Sequence, residues 1–180
     1  MTDQMKFWYA IYTLSRSEKK LAKELDKKGI ENFLPLLPLK KQWSDRKKTV
    51  LEPVFSSYVF VKMDLKSEKI RVLQTPGAHH ILSLDGSPLP IPEEEIELVK
   101  IFVRDFPEHL RVQSEEKMEP GNKVLITRGS FKGYRAIVIR KISSVSVKVN
   151  ISGIQSSISV DLDPDSIETQ EEKNIGRSSR

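Results

Sequence analysis

The pattern of apolar residues changes near residue 105 of this 180-residue chain. Before that point, strand-like apolar runs alternate with segments of helical periodicity. After residue 119 there are only short strands, separated by Gly, Ser and Asp-Pro turns, a spacing typical of a small antiparallel β-barrel. The sequence therefore predicts an α+β domain at 5–105, a linker at 106–118, a five-stranded β-barrel domain at 119–170 and a disordered tail at 171–180.

The first domain opens with an aromatic strand at 7–12 and a helix that ends at Gly29. Ser15 and Glu18 have the spacing of a capping box, which predicts where this helix begins. The run 54–63 is almost continuously apolar, which favours a central strand covered on both faces. A short helix is predicted at 66–73 and a longer one from Pro92 to about Arg104, because acidic residues follow the proline in the first turn.

Between these elements, residues 40–53 predict a β-hairpin with its turn near Ser44 and Asp45. Its end combines cations with one tryptophan: Lys40, Lys41, Trp43, Arg46, Lys47 and Lys48. This composition suits a hairpin that follows a nucleic-acid backbone and stacks on a base. A hairpin that is merely solvated has the same composition, so the residues alone leave both interpretations open.

The charge balance, 30 Lys+Arg against 25 Asp+Glu, gives a net charge of +5 and a pI near 9.3. This favours acidic or polyanionic partners without identifying one. The absence of cysteine excludes disulfides, thiolate zinc sites and a cysteine nucleophile. No apolar leader or run of about 18 apolar residues is present, so we expect a cytoplasmic protein without a membrane partner.

The segment VLITRGSFKGYRAIVIR at 124–140 places Gly129 and Gly133 among cations. A phosphate-binding loop requires four residues between its glycines and a Gly-Lys-Ser/Thr ending, whereas three residues intervene here and Gly-Tyr-Arg follows. The segment continues as a strand, so there is no helix N-terminus for a pyrophosphate. A turn between two strands is the better interpretation.

No catalytic motif or cofactor site is found. His79 and His80 are adjacent in a predicted strand, where side chains point to opposite faces, so one metal ion could not easily bind both. No serine lies in a Gly-x-Ser-x-Gly elbow. The run of three glutamates at 93–95 is best explained as the first turn of a helix. The chain is therefore predicted not to be an enzyme and to bind no metal or cofactor.

Aromatic residues of the first domain are candidates for either a core or a contact surface. In a strand, Tyr58 and Phe60 share one face, which could line a groove for a partner helix. Ordinary core packing is the competing interpretation for Tyr12 and Phe60.

Taken in order, these motifs resemble the NusG family of transcription elongation factors. The resemblance rests on Trp8-Tyr9 in the first strand, Glu52-Pro53 before the run 55–61, Thr75-Pro76-Gly77, and a late segment similar to a KOW motif. It extends from about residue 6 to 169. It implies an NGN domain, an α/β sandwich with an antiparallel sheet flanked by helices, followed by a five-stranded KOW β-barrel.

The family's function is then implied as well. The NGN domain would bind the clamp helices of the largest RNA polymerase subunit and suppress pausing and termination, through Tyr12, Tyr58 and Phe60. Lys20 and the cations and tryptophan of the hairpin would lie toward the exposed DNA strand of the elongation complex. The KOW domain would recruit a further partner, Rho or a small-subunit ribosomal protein, through Arg128, Phe131 and Lys132. A monomer is expected.

Two departures from the family pattern and one further resemblance indicate a specialised, RfaH-like paralogue of the kind associated with polysaccharide operons. Ser56-Ser57 replaces the usual Pro-Gly or Pro-Asn, Ala136 occupies the place of a glycine, and residues 42–48 resemble those paralogues. The β-branched run at 137–139 nevertheless favours a barrel over a helical hairpin in the KOW segment. A ribosome-associated RNA-binding KOW protein is the alternative, but it leaves the long first domain unexplained.

Overall fold

The computed structural model describes residues 5–42, 47–114, 122–140, 144–151, 154, 156–163, 165 and 168–171. The helices are α1 (Glu18–Lys27), α2 (Lys69–Leu73) and α3 (Glu93–Asp105). The first eight strands are β1 (Phe7–Thr13), β2 (Asn32–Phe33), β3 (Leu36–Gln42), β4 (Lys47–Pro53), β5 (Tyr58–Met63), β6 (Ala78–Ile81), β7 (Ser83–Leu84) and β8 (Ser87–Pro88). The remaining strands are β9 (Leu110–Ser114), β10 (Asn122–Arg128), β11 (Arg135–Arg140), β12 (Val145–Ile151), β13 (Ser156–Leu162) and β14 (Glu168–Glu171).

The N-terminal sheet has the strand order β2-β5-β1-β6, and all its pairs are antiparallel. The predicted central strand is confirmed: β5 lies between β2 and β1 and is buried on both faces. One face, with Val59 and Val61, packs against α1 and α2. The other, with Trp8 and Phe60, packs against α3. This is the predicted α/β sandwich, because the apolar run of β5 requires cover on both sides.

The start of α1 differs from the predicted capping box. The N-cap residue is Ser17, and it makes no side-chain capping hydrogen bond. The carboxylate of Glu18 turns away from its own helix and accepts the backbone N–H of Ser57 at 2.7 Å. That bond gives the backbone N–H of Ser57 a partner in the turn before β5, where Ser57 has a left-handed φ of 66°. The tertiary hydrogen bond therefore takes precedence over the local cap.

The predicted hairpin is present as β3 and β4, which form a two-stranded sheet of their own, but its first strand begins at Leu36 and not at residue 40. Leu36 pairs with Pro53 at its base, and Gln42 pairs with Lys47 at the far end of the described register. Residues 43–46, which include the predicted turn at Ser44 and Asp45, lie outside the described residues.

The C-terminal sheet has the order β14-β10-β11-β12-β13-β9 and is antiparallel throughout. Strands β10 to β14 are the five strands predicted for the KOW segment. A sixth strand lies within the predicted linker at 106–118, where Leu110–Ser114 pairs with β13 as β9. Leu110 and Val112 alternate with polar residues and extend the apolar face of β13, where they pair with Val160 and Ile158. Most of the predicted tail, 172–180, lies outside the described residues.

The two sheets are joined by a contact between α3 and the C-terminal sheet. Helix α3 lies against β12 and β13. The ring of Phe131, in the β10–β11 turn, is 5.0 Å from the ring of Phe102 and 5.2 Å from that of Phe106, between centroids. The apolar residues of α3 and of the C-terminal sheet consequently form one continuous core.

Candidate functional site

Four rings form an aromatic patch, which we define as Tyr12, Tyr58, His79 and His80, at one end of the N-terminal sheet. The ring of Tyr12 lies 5.5 Å edge-on from Tyr58 and 5.1 Å in a stack with His80. Both tyrosines are half-buried and both histidines are exposed. An amphipathic surface of this kind offers ring faces to an apolar partner and hydroxyl groups to a polar one.

The pairing of β1 with β5 and with β6 brings the rings of this patch together. Tyr12 is directly opposite Tyr58 on β5 and opposite His80 on β6, so β1 holds the central ring between two neighbours. Burial, with a smaller contribution from Tyr12, raises the pKa of Tyr58 above its ordinary value. The phenol of Tyr58 therefore stays protonated at neutral pH and remains a hydrogen-bond donor.

The histidine pair corrects the expectation that the two rings point apart. The register between β1 and β6 shifts at Tyr12 and Thr13, so that Thr13 pairs with Ala78 and His79 is bulged out. A bulge breaks the alternation of side chains. As a result, the Nδ1 atoms of His79 and His80 lie 2.7 Å apart, one ring donating to the other. Within the described residues, no group of three or more His, Asp or Glu side chains is arranged to hold a metal ion.

Phe60, predicted to share the polymerase-binding pocket with the tyrosines, is fully buried. It packs between Phe33, at 6.3 Å, and Phe55, at 5.8 Å, measured between ring centroids. Strand alternation places it on the same face as Tyr58, but two residues further along, where α3 covers the sheet. Phe60 therefore belongs to the core beside the patch, and a partner cannot touch it in this conformation.

The basic hairpin is described in part. The register pairs Lys40 with Thr49 and Lys41 with Lys48, and the side chain of Lys48 is exposed. Trp43 and Arg46 lie outside the described residues, and for Lys47 the structure gives the backbone position only. The hairpin strands thus bring the predicted lysines to the same end of the two-stranded sheet, next to the undescribed turn.

Lys20, the predicted nucleic-acid contact on α1, is exposed. Its neighbour Lys19, which the sequence did not single out, is the residue that reaches the hairpin and donates to the carbonyl of Leu51. A polar cleft of about 520 Å³ opens beside this contact, between the start of α1 and the base of the hairpin. Two adjacent lysines on one helix carry no signal that would have told which of them reaches the hairpin.

The turn at 128–134 is confirmed as a turn, but Phe131 does not project into solvent as predicted. Gly129 and Gly133 have φ values of 91° and 89°, which permit the reversal. Phe131 is only 1% exposed, because Phe102 and Phe106 of α3 cover its ring. Arg128 pairs with Glu168 at 3.0 Å and Lys132 is exposed, so both cations flank a buried aromatic residue.

Helix α3 is anchored to the N-terminal sheet by a charged cluster. Glu93 accepts hydrogen bonds from Lys62 Nζ at 2.9 Å and from the indole of Trp8 at 3.2 Å. These bonds hold the pKa of the Glu93 carboxyl below its ordinary value and that of Lys62 above it. Lys100 also lies over the Trp8 ring, 5.4 Å from its centroid. The helix that covers Phe131 is therefore fixed on the sheet that carries the aromatic patch.

No described helix is long and apolar enough to cross a membrane.

Comparisons with known proteins identify a family for this chain. Residues 6–100, more than half of the chain, match the NusG family model, described as transcription termination factor nusG. The transcription termination/antitermination protein NusG of Thermus thermophilus is 23% identical over 173 residues, covering 86% of this chain and 94% of that protein.

Two solved structures are similar over most of the chain. One is a structure of Thermotoga maritima NusG, whose description names a domain interaction. Its sequence is 23% identical to this chain, the match covers 93% of this chain and 98% of that chain, and the TM-score is 0.48. A chain of the MjSpt4:Spt5 complex is 21% identical, covers 92% of this chain and 99% of its own, and has a TM-score of 0.29. On the strength of the family match across the N-terminal sheet, its helices and the hairpin, this chain belongs to the NusG family of transcription factors.

Proposed function

We propose that this chain is a non-enzymatic elongation factor that acts in the cytoplasm on transcribing RNA polymerase. It binds the clamp helices of the largest subunit through the aromatic patch and suppresses pausing and termination. The basic hairpin contacts the exposed DNA strand, and the C-terminal sheet recruits a further partner. Membership of the family supports this role, and the departures at Ser57 and Ala136 favour a specialised, operon-specific paralogue.

The observation that carries the proposal is the partly exposed tyrosine pair. Tyr12 and Tyr58 contact each other edge-on at the end of the sheet, beyond the part where Phe60 is covered. Rigid aromatic rings that rest on a packed core lose little conformational freedom on binding, which is why tyrosine is enriched among residues that dominate interfaces. Two coiled helices offer the apolar ridge that such a pair accepts.

Capture of purified RNA polymerase by the immobilised chain tests this. Tyr12→Ser removes the central ring of the patch, and we expect capture to fall by about tenfold or more, since central aromatic anchors contribute about 2 kcal/mol or more. Phe7→Ser is the matched control, because Phe7 is an exposed aromatic residue on the same strand, 46% exposed. Equal capture by both variants, each with an unchanged melting temperature, would contradict the proposal.

The DNA contact is tested through salt dependence. Replacing Lys47 and Lys48 with alanine removes two cations beside the hairpin turn. We expect the slope of log affinity for the elongation complex against log salt to flatten by about 1 for each phosphate that the hairpin no longer neutralises. The control is the pair Lys66→Ala and Lys69→Ala, both exposed near α2 and equal in charge. A slope that the hairpin variant leaves unaltered would exclude the contact.

Recruitment of a second partner, Rho or a small-subunit ribosomal protein, is proposed for Arg128, Phe131 and Lys132. Because α3 covers Phe131, this recruitment requires the C-terminal sheet to leave α3 first.

The competing proposal, a ribosome-associated RNA-binding protein, is distinguished by co-sedimentation. It predicts that the chain travels with ribosomal subunits when polymerase is absent, whereas a polymerase factor does not. The family match over residues 6–100 favours the polymerase, since it accounts for the N-terminal sheet that the ribosomal role leaves without a purpose.

A further inference from the structure

The histidine pair of the aromatic patch directs two ring nitrogens toward one point. The Nδ1 atoms of His79 and His80 lie 2.7 Å apart, and both side chains are exposed on β6, an edge strand of the N-terminal sheet. In this arrangement one ring donates its Nδ1 hydrogen to the other. A neutral histidine can carry that hydrogen on Nε2 instead. With both hydrogens on Nε2, the two Nδ1 lone pairs are available to one shared cation.

The bulge in β6 brings the two rings to the same side. Along a regular strand, adjacent side chains point to opposite faces, and one ion could not reach both. The register between β1 and β6 shifts at Tyr12 and Thr13, so that His79 is left without a partner residue on β1. A bulge of this kind re-aims the side chain that it carries. The reason for which the sequence predicted no metal site at this pair is thereby removed.

Tyr12 holds the two histidine rings in place. Its ring stacks on His80 at 5.1 Å and meets His79 edge-on at 5.9 Å, measured between centroids. Tyr12 is itself supported by the ring of Tyr58, 5.5 Å away. Side chains that are already held in their binding geometry lose little conformational freedom when a ligand arrives. The pair is therefore preorganised for chelation, which two freely rotating surface histidines are not.

The distance between the two nitrogens selects the geometry of the ion. With metal–nitrogen bonds of about 2.0–2.1 Å, two ligands at a right angle lie about 2.9 Å apart, whereas tetrahedral ligands lie about 3.3 Å apart. The observed 2.7 Å is closer to the right angle. Square-planar and tetragonal sites with nitrogen ligands are typical of Cu²⁺ and Ni²⁺, whereas Zn²⁺ prefers a tetrahedron. The pair therefore suits Ni²⁺ and Cu²⁺ better than Zn²⁺.

From this geometry we propose that His79 and His80 chelate one divalent transition-metal ion, Ni²⁺ or Cu²⁺, through their Nδ1 atoms. Water completes the coordination, since no group of three or more His, Asp or Glu side chains is arranged around an ion among the described residues. A bound ion adds positive charge to the aromatic patch beside Tyr12. The inference goes beyond the proposed function, because it needs no polymerase and holds whichever partner the patch binds.

Equilibrium dialysis of the untagged, full-length chain against Ni²⁺ tests the site. The chain contains three histidines and no cysteine, so few other nitrogen or sulfur side chains compete for the ion. We expect saturable binding of one Ni²⁺ per chain. His79→Phe and His80→Phe each keep an aromatic ring in the patch and remove its nitrogens. Each should weaken Ni²⁺ binding by about 100-fold or more, since loss of even an outer-shell partner of a metal ligand costs about 10–100-fold.

His109→Phe is the matched control. His109 is also exposed, but it lies between α3 and β9, away from the bulge in sequence. It should leave the Ni²⁺ affinity unchanged, and the melting temperatures of all three variants without metal verify that each is folded. Two results would overturn the proposal: no saturable binding by the unaltered chain below about 1 mM Ni²⁺, and an equal loss of affinity in all three variants.

Electron paramagnetic resonance of the unaltered chain with one equivalent of Cu²⁺ needs no variant. We expect nitrogen hyperfine structure from two imidazoles, whereas oxygen ligands alone, or a single imidazole, would contradict the chelate. In competition dialysis, Zn²⁺ should bind more weakly than Ni²⁺, and tighter binding of Zn²⁺ would overturn the assigned geometry. Polymerase capture is measured with EDTA present, so a failure of metal binding is distinguishable from a failure of the proposed function.

Discussion

The tyrosine pair of the N-terminal sheet and Phe131 of the C-terminal sheet are both aromatic contacts predicted from the sequence, but the fold treats them differently. Tyr12 and Tyr58 stay partly exposed beside two exposed histidines. Phe131 is buried against Phe102 and Phe106. The first surface is ready for a partner, whereas the second is occupied by α3.

The difference shows that accessibility is decided by tertiary neighbours rather than by the turn or strand that presents a side chain. The strand register places Tyr12 and Tyr58 beyond the region that α3 covers. The two glycines let the β10–β11 turn present Phe131, but only four residues separate the end of α3 from the start of β9 at Leu110. A connection this short keeps the turn beside the helix, so the contact forms at high effective concentration.

The largest expected effect is on the free energy of unfolding, and it distinguishes the buried ring of Phe60 from the partly exposed ring of Tyr12. Phe60→Ala should lower the free energy of unfolding by about 3–5 kcal/mol, because it empties the core between Phe33 and Phe55. Tyr12→Ala should cost far less stability. Denaturant unfolding of both variants measures this, and a stability loss for Tyr12→Ala as large as that for Phe60→Ala would mean that Tyr12 is a core residue.

Glycine in place of Ser57, in the turn that precedes Tyr58, should stabilise the chain. Ser57 has a φ of 66°, a conformation that costs a side chain about 1–2 kcal/mol. Ser57→Gly should stabilise the chain by about 0.5–1 kcal/mol after the greater entropy of glycine in the unfolded chain is counted. Ser56→Gly, without a positive φ to relieve, should destabilise it slightly. If Ser57→Gly lowered the melting temperature, the strain attributed to this turn would be excluded.

The smallest effect on stability concerns the ion pair between Glu93 and Lys62, which holds α3 on the N-terminal sheet. The pKa of Glu93 is lowered in the folded chain, chiefly by its hydrogen bond from Lys62. Its contribution is therefore present above the unfolded pKa of about 4.3 and is lost as pH falls through the lower folded pKa. Because Glu93 is 54% exposed, we expect at most about 1 kcal/mol.

Glu93→Gln measures that contribution. It should remove this part of the acid destabilisation between about pH 5 and pH 3, as followed by thermal unfolding. On the alkaline side the pKa of Lys62 is raised, so its contribution persists until pH rises through that folded value. An acid profile that Glu93→Gln leaves unaltered would show that the ion pair does not hold the helix.

The elements with strong local signals were predictable from the sequence. The apolar run of β5 indicated a central strand, the spacing of Gly129 and Gly133 indicated a turn, and the hairpin was recognised from its composition. Each of these depends on residues close together in the chain, where periodicity and turn chemistry act.

What the sequence did not reveal depends on distant partners. Strand β9 has only Leu110 and Val112 as apolar residues, and it becomes a strand because β13 has a free edge beside it. Phe131 is buried by residues about 25–30 positions away, which turn chemistry cannot predict. His79 joins His80 through a bulge that only the pairing with β1 creates. The contacts of Lys19 with the hairpin and of Glu18 with Ser57 are likewise tertiary.

The central claim is that the aromatic patch, which we propose as the polymerase-binding surface, is accessible while the C-terminal aromatic contact is occupied by α3. Polymerase capture by three chains tests it most directly: the unaltered chain, Tyr12→Ser and Phe131→Ser. We predict that Tyr12→Ser loses capture by about tenfold or more and that Phe131→Ser captures as well as the unaltered chain. A Phe131→Ser variant that captures polymerase about tenfold better, or a Tyr12→Ser variant that captures it equally well, would contradict the account.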